Sequence, residues 1–198
     1  MQPNLRTMMP NVPAPNRVYI VFSAEINPMT TESLMALVSQ QVNLGVKEIY
    51  LLISTPGGSV MHGLHLYNVL RGLPVKLITH NAGQVNSIGN AIFLAGVERY
   101  ASPHSSFMFH GVGFDVPAGA RFEEKVLRER LDSLLNDQKR IGSIIQERTK
   151  IGEGDIEGLF REAQTKDAAY AVGSGIVNEI RDVQIPAGAP VFSLVFQR

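Results

Sequence analysis

The sequence has no cysteine and no tryptophan, and its opposite charges balance. A chain without cysteine forms no disulfide framework, no cysteine zinc site and no thiol nucleophile. The balance of 18 Lys and Arg against 18 Asp and Glu gives no electrostatic basis for binding nucleic acid or a membrane surface. No apolar run approaches the roughly 20 residues that a membrane-spanning helix needs. We therefore expect a soluble protein that binds neither nucleic acid nor membrane.

The residues that are present fit one folded domain. Of the 198 residues, 44% are hydrophobic and 18% are charged, so we expect a sizeable core and no wholesale disorder. The first 16 residues are rich in proline and asparagine and lack the apolar core of a signal peptide, which predicts an irregular arm. These features favour a cytoplasmic location.

Strand-like and helix-like segments alternate along most of the chain. Residues 17–22, 48–53 and 75–79 are rich in β-branched and aromatic side chains, and each run precedes a segment with helical periodicity. Strands that alternate with helices predict an α/β fold with a parallel sheet and right-handed crossovers. Further strands are expected near 106–110 and in the tail at 191–196.

Residues from about Ala120 to Lys150 form one long helical pattern without proline. Apolar side chains from Phe122 to Ile145 fall on one side of it, and charged side chains fill the other. A helix of about 30 residues spans about 45 Å, which exceeds the radius of a domain of this size. Part of the apolar stripe must therefore pack against a partner subunit, or against the chain's own core if the helix kinks.

Two glycine-rich turns follow consecutive predicted strands, at 56–59 and at 83–89. Ligands of parallel α/β sheets bind at the carboxyl ends of the strands, where both turns would lie. The second turn carries Ser87, and His110 ends another predicted strand. A serine hydroxyl is a weak nucleophile that needs a base within about 3 Å, and His110 is the candidate base. Taken singly, Ser87 could instead be a helix N-cap and His110 a hydrogen-bonded core histidine.

In combination, these motifs resemble the proteolytic subunit of the Clp protease, a family of serine peptidases. The resemblance covers residues 17–182 and implies an α/β fold with a repeated β-β-α spiral core of the ClpP and crotonase type. The long helix at about 120–150 would be the family's handle helix, which joins two seven-membered rings. The matching segments, in the family's order, are ISTPGGSV at 53–60, GQVNSIG at 83–89, FMFH at 107–110 and AVGSGIVNEI at 171–180.

The resemblance assigns a role to each candidate site residue. It makes Ser87 the nucleophile and His110 the general base, and it places the oxyanion hole at the amides of Gly58 and Ile88. It implies no cofactor and no metal, and His62 and His65, three apart on a predicted helix, have no third ligand in sight. The implied partners are copies of the chain in a heptamer or stacked double heptamer, a paralogous subunit and an ATP-dependent unfoldase.

The third member of the family's triad, an Asp, has no direct counterpart here. An ungapped count back from Gly175 falls on Ala163, and the nearest carboxylates are Glu162 and Asp167. Asp167 also precedes a helical run and is a candidate N-cap. A weakly active or inactive paralogue that assembles with an active subunit is therefore an alternative to an active endopeptidase. An acyl-CoA hydratase or isomerase of the same fold superfamily is a further one.

The resemblance also divides the chain into three parts. It predicts an irregular arm at 1–16, a ClpP-like peptidase domain at 17–182 and a C-terminal extension at 183–198. The activity that it implies is a self-compartmentalised serine endopeptidase that cleaves unfolded polypeptides or peptides.

Overall fold

A computed structural model of the chain describes residues 15–194 and Phe196. The predicted arm at 1–16 therefore lies almost wholly outside the described residues, as does part of the predicted tail strand. The elements in chain order are β1 Arg17–Ser23, α1 Pro28–Asn43, β2 Glu48–Thr55, α2 Val60–Arg71, β3 Lys76–Asn86, α3 Gly89–Phe93, β4 Glu98–Ala101, β5 Ser106–Met108, α4 Glu124–Arg148, α5 Glu153–Glu162, β6 Thr165–Asp167, α6 Ala168–Gly173, β7 Glu179–Ile180 and β8 Val191–Leu194.

The strands form one mixed sheet in the order β6-β5-β3-β2-β1-β8, and β4 pairs with both β3 and β7. Every pairing is parallel except that between β5 and β6. The predicted α/β fold is confirmed, and so is a final strand in the tail, because β8 pairs with β1 along the sheet edge. The antiparallel β6 is the exception to the predicted parallel sheet.

Both faces of β1 and β2 are covered, which is why these two strands are continuous hydrophobic runs. On β2, Leu51 belongs to the main core, whereas its neighbours Tyr50 and Leu52 belong to a smaller cluster on the opposite face. Val183 and Ala189, from the segment after β7, pack against that smaller cluster. The segment before β8 therefore covers part of the second face of the sheet.

The turn predicted at 83–89 is much shorter in the structure, because β3 continues as a strand to Asn86. The first part of β3 pairs with β4 at 78–81, and its last part, 84–86, pairs with β5. An irregularity in the pairing with β2 accompanies this change of neighbour. Glycine at 83 suggested a turn, but the new pairing partner keeps the backbone extended, and only Ser87 and Ile88 form the turn.

The long helix α4 runs through 25 residues, a few fewer at each end than predicted, and Phe122 lies outside it. Its C-terminal part packs on the core through Ile141 and Ile145. Its N-terminal part carries Leu127, Leu131 and Leu135, which are 48%, 53% and 51% exposed. The apolar stripe therefore extends beyond the chain's own core, as the length of the helix predicted. No helix in the described residues has the length and hydrophobicity that a membrane crossing requires.

Candidate active site

Ser87 occupies a sharp turn between β3 and α3. Its φ is +56°, in the left-handed region that residues other than glycine rarely adopt. Its amide donates a hydrogen bond of 2.9 Å to the carbonyl of Met108 at the end of β5. A strand, a strained turn and a helix in succession expose a serine side chain at the carboxyl edge of a sheet.

The N-cap interpretation of Ser87 is wrong. The residue at the N-cap position of α3 is Ile88, and α3 has no side-chain capping bond. The Ser87 hydroxyl makes no hydrogen bond within the described part of the chain. The hydroxyl is therefore free for another role.

Two glycines allow the neighbouring turn to approach Ser87. A Cβ on Gly57, whose φ is +93°, would lie 2.7 Å from the Cβ of Ser87. A Cβ on Gly58, whose φ is +143°, would lie 2.2 Å from the carbonyl oxygen of Ile26. Both distances are far shorter than a carbon side chain tolerates, so these positions require glycine for packing as well as for their backbone angles.

His110 follows β5 and is held by backbone bonds on both sides. Phe109 donates to the carbonyl of Gln164, and Gly111 donates to the carbonyl of Phe160, both at 2.9 Å. The His110 ring is half-buried and has no hydrogen-bond partner among the described residues. It is therefore not a core histidine whose nitrogens are already paired.

One cavity of about 340 Å³ brings together all four residues to which the sequence pointed: Gly58, Ser87, Ile88 and His110. The Ser87 hydroxyl and the His110 ring are not hydrogen-bonded to each other in this structure. Catalytic hydrogen bonds are often long without substrate and tighten in the Michaelis complex. Most of the remaining wall is apolar and includes Val60, Phe109, Val112, Phe114, Ile141, Ile145 and Phe160.

The amides of Gly58 and Ile88 donate no hydrogen bond to any described residue. The backbone hydrogen bonds between this turn and Ile26 are made by Gly57 and Ser59, the two neighbours of Gly58. Ile26 donates to the carbonyl of Gly57 at 2.7 Å, and Ser59 donates to the carbonyl of Ile26 at 2.8 Å. The bridge to Ile26 therefore leaves the Gly58 amide free beside the cavity.

The pairing of β5 with β6 ends at Met108 and Thr165, before it reaches His110. Phe109 still donates to Gln164 in that register, but Gly111 donates to Phe160 and no longer to Glu162, so the register does not continue past His110. Ala163 ends α5 in the left-handed conformation, with a φ of +50°. Ala163, which the ungapped count identified, therefore offers a methyl group and no carboxylate.

The two nearest carboxylates have other partners. Glu162 accepts a hydrogen bond from the side chain of Gln164, and both line a separate cavity that does not include His110. Asp167 accepts a hydrogen bond of 2.8 Å from the amide of Tyr170, so its predicted N-cap role in α6 is confirmed. Neither carboxylate is hydrogen-bonded to His110.

The sequence did not point to Asp115, which lines the same cavity as Ser87 and His110. It is exposed and lies in the irregular segment between β5 and α4. No periodicity or spacing distinguishes it, because the path of such a segment depends on the surfaces that it crosses. Asp115 is the one carboxylate among the described residues that lines this cavity.

His80 was also overlooked, and it is the histidine that is fully buried. Its Nδ1 lies 2.7 Å from the hydroxyl of Tyr50, and its Nε2 lies 3.2 Å from that of Ser102. Burial, reinforced by the positive charge of Arg181, lowers the pKa of His80 from 6.5 to about 4. His80 does not line the cavity of Ser87, so we regard it as a structural residue.

The described residues contain no group of three or more His, Asp and Glu side chains that is placed to hold a metal ion. His62 instead pairs with Ser59, whose Oγ lies 2.7 Å from the Nδ1 of the ring.

Comparison with known proteins agrees with this architecture. A solved structure of a ClpP1 mutant from Listeria monocytogenes matches with a TM-score of 0.73. The match covers 85% of this chain and 92% of that chain at 23% sequence identity, which shows a shared fold. A model of the Clp protease family matches residues 14–184. The chain therefore belongs to the Clp protease family.

Family membership confirms the resemblance noted in the sequence and supports a peptidase. It gives no support to the alternative of an acyl-CoA hydratase or isomerase. The division of the chain into an arm, a peptidase domain and an extension stays a prediction.

Proposed function

We propose that the protein is a serine endopeptidase subunit of a self-compartmentalised oligomer that cleaves unfolded polypeptides or peptides. The observation that carries this proposal is the shared cavity. Ser87, His110 and two amides without partners among the described residues lie around it. Ser87 also has the strained turn geometry that presents a nucleophile.

In the proposed mechanism, the Ser87 hydroxyl attacks the carbonyl carbon of the scissile peptide bond, and His110 takes up the hydroxyl proton. The oxyanion that forms accepts hydrogen bonds from the amides of Gly58 and Ile88, each worth about 3 kcal/mol of transition-state stabilisation. As the carbon–nitrogen bond breaks, His110 returns the proton to the leaving amine. Water, deprotonated by His110, then hydrolyses the acyl-enzyme. The sequence of steps needs no cofactor.

The cavity wall favours an apolar substrate side chain beside the scissile bond. Ile141 and Ile145 of α4, with Phe160 of α5, supply much of this wall. Burying one substrate side chain of leucine or phenylalanine size there would contribute about 1.5–3 kcal/mol. We therefore expect peptides with such residues before the cleaved bond to react faster than peptides with charged residues there.

A weakly active subunit that assembles with an active paralogue is the second candidate. Ala163 at the expected acid position favours it, because the two nearest carboxylates, Glu162 and Asp167, bond to other residues and not to His110. Loss of the residue that orients histidine in such triads lowers the rate on the order of 10⁴-fold, yet leaves catalysis well above the rate in water. The two candidates thus differ in rate, while Ser87 remains the nucleophile in both.

Assembly into rings accounts for the uncovered part of α4. The row Leu127, Leu131 and Leu135 offers an apolar face to another copy of the chain, in a heptamer or a stacked double heptamer. A closed chamber would restrict cleavage to unfolded chains and short peptides. An ATP-dependent unfoldase would deliver folded substrates, and a cytoplasmic location would supply its ATP.

Hydrolysis of a fluorogenic peptide with an apolar residue before the cleaved bond tests the proposal. Ser87→Ala and His110→Ala should each abolish turnover, because they remove the nucleophile and the base. Ser106→Ala and His104→Ala, which change the same residue types outside the cavity, should keep wild-type turnover. Turnover that survives in purified Ser87→Ala protein would contradict the proposed function. A rate near the detection limit, together with Ser87 labelling that rises when a paralogous subunit is added, would select the second candidate.

A further inference from the structure

Asn90, in α3, is connected to both halves of the candidate site. Asn90 is 2% exposed, and its Nδ2 donates two hydrogen bonds. One bond, of 3.0 Å, goes to the carbonyl of Ser87, and the other, of 2.8 Å, goes to the carbonyl of Met108. A single amide thus joins the turn of the candidate nucleophile to the strand that leads to His110.

The orientation of the Asn90 amide follows from its acceptors. Both neighbours of Nδ2 are carbonyl oxygens, so a flipped amide would set three oxygens against one another. The opposite atom, Oδ1, is buried and has no partner among the described residues. The side chain therefore contributes through its two donated bonds.

The carbonyl of Met108 is the centre of this connection. It accepts from Nδ2 of Asn90 and also from the amide of Ser87, at 2.9 Å. These bonds close a ring that joins the turn, the start of α3 and the end of β5. A serine in the left-handed backbone conformation persists only where the surrounding structure holds it, and this ring of hydrogen bonds supplies such constraints.

We propose that Asn90 is a positioning residue that holds the Ser87 turn at a fixed place relative to the strand preceding His110. This inference rests on the proposed function. His110 follows Met108 by two residues, and neither Glu162 nor Asp167 is hydrogen-bonded to His110. The alignment of nucleophile and base therefore depends on the backbone frame that Asn90 connects, and a misplacement of about 1 Å in such a frame can lower a rate about 100-fold.

Asn81 offers a matched control on the same strand pair. It is fully buried, and its Nδ2 donates a bond of 2.8 Å to the carbonyl of Ser106 at the start of β5. Its Oδ1 accepts from the amide of Gly83. Asn81 therefore joins β3 to β5 by the same kind of bond, but it has no bond to Ser87.

The test compares Asn90→Ala and the isosteric Asn90→Asp with Asn81→Ala. For each purified, folded protein, the rate of Ser87 labelling by a serine-directed phosphonate is measured with peptide kcat, KM and Tm. We expect Asn90→Ala to lower labelling and kcat about 10-fold to 100-fold, with KM nearly unchanged. Asn90→Asp should be at least as slow, because its carboxylate faces two carbonyl oxygens. Asn81→Ala should lose a similar amount of Tm and keep its rates within about twofold.

Rates that fall in proportion to Tm in all three variants would overturn the inference, because a purely structural role predicts that pattern. If the wild type is labelled at Ser87 and Asn90→Ala is labelled at the same rate, the inference about Asn90 is overturned, while the proposed function stays intact. Wild-type protein that is folded and assembled but never labelled would overturn both. If Asn90→Ala does not fold, the comparison of Asn90→Asp with Asn81→Ala decides.

Discussion

At the scale of single residues, the candidate site depends on contacts that allow no additional atoms. Gly57 packs against the Cβ of Ser87 and against the carbonyl of Asn86, at distances of 2.7 and 2.8 Å from the place where a Cβ would be. The rigid backbone on both sides leaves little room for adjustment. The position of Ser87 is therefore coupled to the absence of a side chain at residue 57.

Gly57→Ala should lower the rate of Ser87 labelling about 100-fold, because the added methyl group must displace the nucleophile or the adjacent turn. The measurement is the labelling rate of folded protein, with circular dichroism as the check of folding. Gly173→Ala is the control, since no atom lies within 4 Å of a Cβ at that helical position. Equal labelling rates in the two variants would contradict the packing account.

His80 should make the stability of the fold depend on pH. The folded protein keeps the His80 pKa near 4, below the ordinary 6.5, because the ring is buried among Tyr50, Ser102 and the Arg181 charge. The stability contributed by the neutral ring is fully present above pH 6.5. It is lost as pH falls toward 4, because the unfolded chain then binds the extra proton. Between pH 7 and pH 5, the contribution of His80 to the free energy of unfolding falls by about 2 kcal/mol.

Chemical unfolding at pH 7 and pH 5 tests this prediction in the wild type and in His80→Gln. The variant lacks the titrating ring, so its free energy of unfolding should fall less over this range. The nearby Asp182 is unchanged in both proteins and cancels in the comparison. Identical pH dependence in the two proteins would show that His80 is not the group responsible.

At the scale of elements, the sequence predicted best where side-chain pattern and burial agree. The strands β1 and β2 are continuous apolar runs because both faces of the sheet are covered, and such runs can be recognised in a sequence. In β3 only the first part is apolar, because the buried polar residues Thr79, His80 and Asn81 follow Ile78. The glycine pair at 57 and 58 could also be recognised in the sequence, because close contacts in the structure exclude any other residue at these two positions.

Shorter elements could not be predicted in the same way. β6 has three residues and no apolar pattern, and its position is determined by its antiparallel pairing with β5. The surroundings of His110 depend on that pairing. An ungapped count could identify Ala163 as the expected acid position, but it could not show that Glu162 lines another cavity or that Asp115 lines this one.

The N-terminal half of α4 should be an assembly surface. Leu127→Glu together with Leu131→Glu places charges on its exposed apolar row and should reduce the particle to smaller assemblies. Light scattering after size-exclusion chromatography measures the mass. Leu44→Glu is a matched control, because Leu44 is 59% exposed but lies at the end of α1. An unchanged mass in the double variant would contradict this role for α4.

At the scale of the whole molecule, the candidate site and the uncovered row lie on the same helix. Ile141 and Ile145 of α4 line the cavity, while Leu127, Leu131 and Leu135 extend beyond the core. A helix of 25 residues joins the two regions. The surface proposed for assembly and one wall of the cavity are therefore parts of the same helix.

The proposed mechanism requires that Ser87 is a nucleophile activated by His110. The most direct measurement is the intact mass of the protein after incubation with a serine-directed phosphonate, with Ser87→Ala and His110→Ala as controls. We expect one adduct per wild-type chain, no adduct in Ser87→Ala and a strongly slowed reaction in His110→Ala. A folded and assembled wild-type protein that forms no adduct, or an adduct that persists in Ser87→Ala, would contradict the proposed mechanism.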